Sequence, residues 1–207
     1  MKKLLIMVSA VLLFATVKAQ ENKIGISFFQ NYSTFRFIDS GGEKDDLNFT
    51  LKSGYGLTYR RYFNKPWFVE GGIAYNNKGA SSSLNLSRLD WSFNYVNADL
   101  TLGYSITSGK ISPHLAAGLY YGRLFKADQI IGASYYNLMD LEVINKNDMG
   151  VRISGGLEYA YSDMGSLLLR VNEFIGLTQL EKGDSGQKMF NRTFSIQLGM
   201  FFTINKD

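Results

Sequence analysis

Phe194, Ile196, Leu198, Met200 and Phe202 alternate with Thr193, Ser195, Gln197 and Gly199, and this two-residue period recurs along the chain. It is clear where Val96, Ala98, Leu100, Leu102, Tyr104 and Ile106 oppose Asn97, Asp99, Thr101 and Gly103. Residues 112–125 set Leu115, Ala117, Leu119 and Tyr121 against His114, Ala116, Gly118 and Gly122, and residues 149–161 behave likewise. Four noisier segments, 24–37, 49–63, 67–78 and 166–178, bring the total to eight. Successive strand side chains face opposite ways, so each segment reads as a strand with one apolar and one polar face. The segments are 12 residues or longer, whereas soluble strands usually run about five or six and a tilted membrane crossing needs about 9–11.

The connections alternate too. Tight links at Asn64 to Pro66, Thr107 to Ile111 and Ser162 to Gly165 interleave with longer polar links near 38–47, 79–89, 126–148 and 179–189. Short turns at one end and long loops at the other, with an even strand count, predict an all-β fold: an eight-stranded antiparallel up-and-down transmembrane β-barrel. The short turns and both termini then face the periplasm and the long loops face outward. Aromatics form two expected interface girdles: Tyr59, Tyr62, Phe63, Trp67 and Phe68 near one tight turn, and Trp91, Phe93, Tyr95, Tyr120, Phe125, Tyr135 and Tyr136 toward the long loops. Two prolines in 207 residues leave the strands uninterrupted.

Residues 1–19 read as a signal peptide cleaved after Ala19, with Lys2 and Lys3 ahead of an apolar run from Leu4 to Val17 and a Val17-Lys18-Ala19 cleavage pattern. The barrel domain is expected over 20–207. Three of the 22 basic residues leave with the signal, so 19 face 18 acidic ones. That balance is no footprint for nucleic acid. The chain has no cysteine, which excludes disulfides, Cys-ligated metals and thiol nucleophiles.

Lys52, Arg60, Arg152 and Arg170 fall on the inward face with Glu70, Asp99 and Glu158. An eight-stranded barrel is only wide enough for its own side chains, so these charges are expected to pair as a structural plug rather than line a path. Glu173 falls in the lipid-facing phase and requires either a place above the lipid or a bulge. His114 is the single histidine and follows Pro113 just after a tight turn, which excludes a multi-histidine metal site. No G-x-S-x-G or H-E-x-x-H motif occurs, so no catalytic, cofactor or metal residues are expected and the protein reads as a non-enzyme. Asp39, Glu43, Asp45 and Asp46 crowd the first long link without calcium-loop spacing and read as a solvated loop, as do Ser81-Ser82-Ser83 and 126–148.

Several stretches resemble a known family. Gly25-Ile26-Ser27 through Asn31-Tyr32-Ser33 resembles an opening strand, Tyr95-Val96-Asn97 through Tyr104 a middle one, and Ser112-Pro113-His114-Leu115-Ala116-Ala117-Gly118 a later one. Gly176-Leu177-Thr178 with Asn191-Arg192-Thr193-Phe194-Ser195-Ile196-Gln197-Leu198-Gly199 resembles the closing pair. Together they resemble the PorT-like outer-membrane β-barrel family. Asn97-Ala98-Asp99, His114 and Asn172-Glu173 depart from its usual residues. The resemblance implies an eight-stranded outer-membrane barrel without a cofactor. The expected role is structural or interactive, through the extracellular loops. The alternatives are a narrow pore or hydrophobic-solute transporter and, more distantly, a lipid-modifying enzyme. Expected partners are outer-membrane lipid and lipopolysaccharide, the barrel assembly machinery during insertion, and a protein at the loops.

Overall fold

The computed structural model describes residues 21–39, 41–84, 87–182 and 188–206, so the predicted signal peptide lies outside the described residues. Eight long antiparallel strands follow one another around a closed ring: β1 (Glu21–Ile38), β3 (Asn48–Asn64), β4 (Trp67–Leu84), β5 (Ser87–Ser105), β6 (Ile111–Ile131), β8 (Asn147–Ala160), β9 (Gly165–Gly176) and β10 (Lys188–Lys206). The ring closes by pairing β1 with β10 over their full lengths. Two short strands, β2 (Lys44–Asp46) and β7 (Ser134–Asn137), add to β1 and β6 at the long-loop end.

The alternation sets which way each side chain points. Ile26, Phe28, Leu57, Leu100, Leu119, Ile153, Leu169 and Leu198 are exposed on the outside, while Ser27, Thr58, Thr101, Ser154 and Gln197 are buried within. Phe28 and Phe29, adjacent in sequence, separate cleanly: Phe28 faces out and Phe29 is buried inside. Outward apolar residues run from Tyr104 to Val96 on β5, nine residues, and from Ile204 to Phe194 on β10, eleven residues. With a strand tilt near 45° this makes a band about 20–25 Å tall, the height of a bilayer's apolar layer. At the tight-turn end the band stops at Tyr59, Trp67, Tyr104 and Tyr159, and at the other end at Tyr32, Tyr55, Tyr75, Tyr121 and Phe194. Beyond the second girdle the outward positions turn polar at Asn77, Asn94, Arg123, Asn147 and the Glu173–Arg192 pair.

Three expectations need correction, and the choice left open for Glu173 is decided. Residues 79–89 are not a long loop: β4 continues to Leu84 and β5 begins at Ser87, so Ser81 and Ser82 lie in a hairpin. Likewise β6 runs to Ile131 and β7 folds back on it, which shortens the 126–148 link. Above the membrane a strand has no lipid to face and loses its outward apolar residues, so Gly79-Ala80-Ser81-Ser82 resembles loop composition while remaining paired. Tyr62, Phe68, Phe93, Tyr95 and Tyr120 point inward rather than into the girdles, because they sit in the buried phase of their strands. Glu173 needs no bulge: β9 keeps unbroken register with both neighbours, and Glu173 faces out above the apolar band beside Arg192.

Candidate functional site: the barrel interior and its two ends

Six of the seven charged residues assigned to the lumen meet there. Glu70 is the hub: its carboxylate accepts from Arg60 at 2.9 and 2.7 Å and from Arg170 at 2.6 and 2.9 Å. Arg60 also donates to Glu158 at 2.7 Å. Arg152 approaches Glu70 at 3.9 Å, pairs with Asp99, and donates to Asn172 at 3.1 and 2.8 Å. These residues come from β3, β4, β5, β8 and β9, so the network ties strands across the lumen rather than only to their neighbours.

The remaining residue, Lys52, is not part of it. Its register partner Asn31 is buried in the lumen, as the regular alternation requires. A bulge between Phe49 and Gly54, however, sets residues 50–53 against 77–79 of β4. The Lys52 ammonium reaches Ser92 on β5 at 3.4 Å, and Ser92 lies in the opposite phase from the buried Phe93 and Tyr95.

Sequence reasoning missed two parts of the interior. At the tight-turn end Lys23 bonds Glu158 at 2.5 Å and Glu21 at 3.0 Å, so four cations (Lys23, Arg60, Arg152, Arg170) face four carboxylates (Glu21, Glu70, Asp99, Glu158). His114 also belongs here: it is buried in the lumen, and its Nε2 accepts from Arg170 Nε at 3.0 Å. A guanidinium therefore occupies the nitrogen that a general base would need. Further up, Lys78 donates to Asp148 at 3.0 Å, Tyr120 and Asn191 donate to the same carboxylate at 3.2 and 2.8 Å, and the ammonium lies 4.7 Å from the Tyr120 ring centre and 5.0 Å from that of Tyr95. Extending the alternation of β4 by one step would have placed Lys78 inward.

The two ends differ. A cavity of about 550 Å³, lined by Lys23, Tyr62, Ser112, Glu158 and Ser166, opens at the tight-turn end and meets the ion pairs. At the other end Phe35, Phe93, Leu124, Leu138, Ile144, Leu180 and Met189 form an apolar core above the Lys78–Asp148 pair. Leu138, Ile144 and Leu180 come from the long connections, which are tied together by Asn145 N–H donating to Leu180 and Leu180 N–H donating to Met189. In the acidic first link, Asp39 Oδ1 accepts from the backbone N–H of Gly41 at 2.9 Å and of Glu43 at 2.8 Å. The side chains of Asp45 and Asp46 lie outside the described residues, and among the described residues no three potential ligands gather for a metal.

A closed eight-stranded ring with an apolar belt, two girdles and a charged interior defines an integral outer-membrane β-barrel. Residues 4–203 match the outer membrane protein beta-barrel domain, and the chain belongs to that family. Its fold is similar to the outer membrane protein OprG from Pseudomonas aeruginosa (15% identity, TM-score 0.60, covering 90% of this chain and 97% of that one). It is also similar to Neisserial surface protein A (12%, 0.52, covering 87% and 96%). The outer membrane protease OmpT from Escherichia coli is similar as well (9%, 0.50, covering 90% and 98%). At these identities the likeness concerns the fold. No curated protein matches the sequence.

Proposed function

We propose that this protein is a non-enzymatic barrel with a plugged interior that acts through its extracellular face, and that within its family it stands with the PorT-like members whose strand motifs it resembles. The observation that carries the reading is the double closure of the lumen. Ion pairs span the interior between Lys23 and Arg152, and an apolar core caps the outer end. A permeation path would have to break buried ion pairs, and separating one such pair costs about 3–5 kcal/mol.

What the closed barrel offers is the structure standing clear of the membrane. The β6–β7 hairpin and the residues after it expose Ile130, Ile131, Tyr135, Tyr136, Leu141 and Val143, all above the Tyr121 level of the girdle. The outer edge of β7 pairs with no strand among the described residues. Exposed aromatics and aliphatics this far from lipid support a protein-binding role for the hairpin.

The test is photo-crosslinking in intact cells with a crosslinking amino acid at position 135 or 136, and at exposed Tyr161 on the opposite end as control. A discrete adduct from either position, with the one from 136 lost when Tyr135→Ser and Leu141→Ser are added, supports the reading. Adducts equal to the control, or a purified barrel that conducts ions, contradict it.

A further inference from the structure

Lys52 is, among the described residues, a half-buried cation without a counter-ion. Among the described residues Ser92 supplies its one hydrogen bond, at 3.4 Å, and no carboxylate lies within ion-pair distance. Asp90, whose charge it feels, is itself held by Arg88 at 2.7 Å. An ammonium partly withdrawn from water favours the company of an anion.

Its position indicates which anion. Where the β3–β4 pairing is interrupted at 50–53, the Lys52 side chain reaches outer-phase residues of β4 and β5 instead of the lumen charges, and bulges commonly re-aim a side chain beside functional sites. The side chain crosses the outer face of β4 over Gly79, where an added Cβ would stand 3.1 Å from Lys52 Cε. It ends beside Ser92, Asn77 and Asn94, which occupy the phase opposite the buried Asn76, Lys78, Phe93 and Tyr95 and therefore face outward. Asn77 donates to Ser92 at 3.2 Å and to Asn94, so the three polar side chains are joined into one cluster. Lys126, the register partner of Asn94, is bound at 2.8 Å to Asp128, the register partner of Ser92, so the neighbouring charges on β6 neutralise each other and Lys52 is the cation open to an anion.

Immediately below the cluster, toward the membrane, Tyr55 and Tyr75 stack at 5.2 Å, and Phe125 packs on Tyr75 at 5.7 Å. Those rings belong to the girdle at the long-loop end. The cluster thus sits where headgroups of the outer leaflet begin, with aromatic surface under it for the start of acyl chains and hydroxyl and amide groups beside the ammonium for sugar oxygens.

We propose that Lys52, Ser92, Asn77 and Asn94 form an external site for the phosphate of a lipid A-type glycolipid in the outer leaflet. The inference rests on the outer-membrane placement of the barrel and not on the closure of its lumen, so a conducting barrel would leave it standing.

The test is binding of phosphorylated lipid A to detergent-folded protein by microscale thermophoresis, with wild type, Lys52→Ala, Lys52→Arg and Asn94→Ala compared. Dephosphorylated lipid A and phosphatidylglycerol serve as the other two ligands, and heat-dependent gel mobility confirms that each variant is folded. Loss of one charge-assisted contact should weaken binding about tenfold in Lys52→Ala while Lys52→Arg stays near wild type. Wild type should bind dephosphorylated lipid A, and also phosphatidylglycerol, about as weakly as Lys52→Ala binds the phosphorylated form. Equal affinity of wild type and Lys52→Ala, or of the two lipid A forms, overturns the site. Phosphatidylglycerol binding as tightly as phosphorylated lipid A overturns the glycolipid assignment. Should Lys52→Ala fail to fold, Asn94→Ala and the dephosphorylated ligand decide the matter.

Discussion

Glu70→Gln isolates the interior network with a change of almost no volume. In the native barrel the Glu70 carboxylate neutralises two guanidinium groups, Arg60 and Arg170, each within 3 Å. At an effective dielectric near 20 each close contact carries about 4 kcal/mol of Coulomb attraction. Arg60 retains Glu158 at 2.7 Å, so it stays paired. Arg170 does not: its remaining polar contact is the neutral-acceptor bond to His114. The loss therefore falls mainly on one orphaned, fully buried cation, and about 3–5 kcal/mol of folding free energy should disappear. Removing that cation as well, in Glu70→Gln with Arg170→Met, should recover part of the loss, because a methionine in the same space needs no partner. Urea unfolding in lipid vesicles, followed by tryptophan fluorescence and by heat-dependent gel mobility, gives all corners of the double-mutant cycle. The pair should couple by more than about 1 kcal/mol, the upper range for exposed ion pairs. A Glu70→Gln barrel as stable as wild type, or strictly additive single variants, would refute the view that these charges hold one another.

Three further outcomes follow from other parts of the molecule. Asp148→Asn leaves Lys78 facing only aromatic rings and neutral oxygens, and should destabilise by about 3–5 kcal/mol in the same unfolding assay; a loss below a tenth of that would contradict the pairing. Phe93→Ala empties the centre of the apolar core at the long-loop end and should cost about 3–5 kcal/mol locally; hydrogen exchange should then rise at 138–146 and 177–182 while the membrane band stays protected. In the β9–β10 connection, burial pushes the Glu181 carboxyl up from its ordinary value. A carboxyl raised on folding contributes most below its unfolded pKa and loses that contribution as pH rises through the folded one. Glu181→Gln should therefore slow protease cleavage of this loop at pH 7 and change it little at pH 4, and the reverse pattern would contradict the burial effect.

Inside the membrane the pattern was readable because both faces of each strand meet demanding surroundings: lipid rejects polar side chains outside, and the narrow lumen rejects unpaired charge inside. Leu100 and Leu119 against Thr101 and His114 show both demands at once. For the same reason Arg60, Glu70, Asp99, Arg152, Glu158 and Arg170 could be placed together from phase alone. Phase did not show which cation meets which carboxylate, since those contacts join strands remote in sequence, as Lys23 does with Glu158. Above the girdle one of the two demands vanishes. Strands at 79–93 and 124–137 then resemble loops, and composition alone does not join their inward residues Ala80, Phe93, Leu124 and Ala127 into one core. Lys52 keeps register with the buried Asn31, and the interrupted β3–β4 pairing at 50–53 lets its ammonium reach Ser92 rather than the lumen charges; nothing in the local composition announces that interruption.

Closure of the lumen is tested most directly by single-channel recording. Purified, heat-modifiable protein inserted into planar bilayers at 1 M KCl should give no discrete conductance steps, and Phe93→Ala should be equally silent, because the ion-paired interior between Lys23 and Arg152 remains. Stable, reproducible steps from the wild-type barrel would contradict the closed interior and with it the proposal that the protein works only through its outer face.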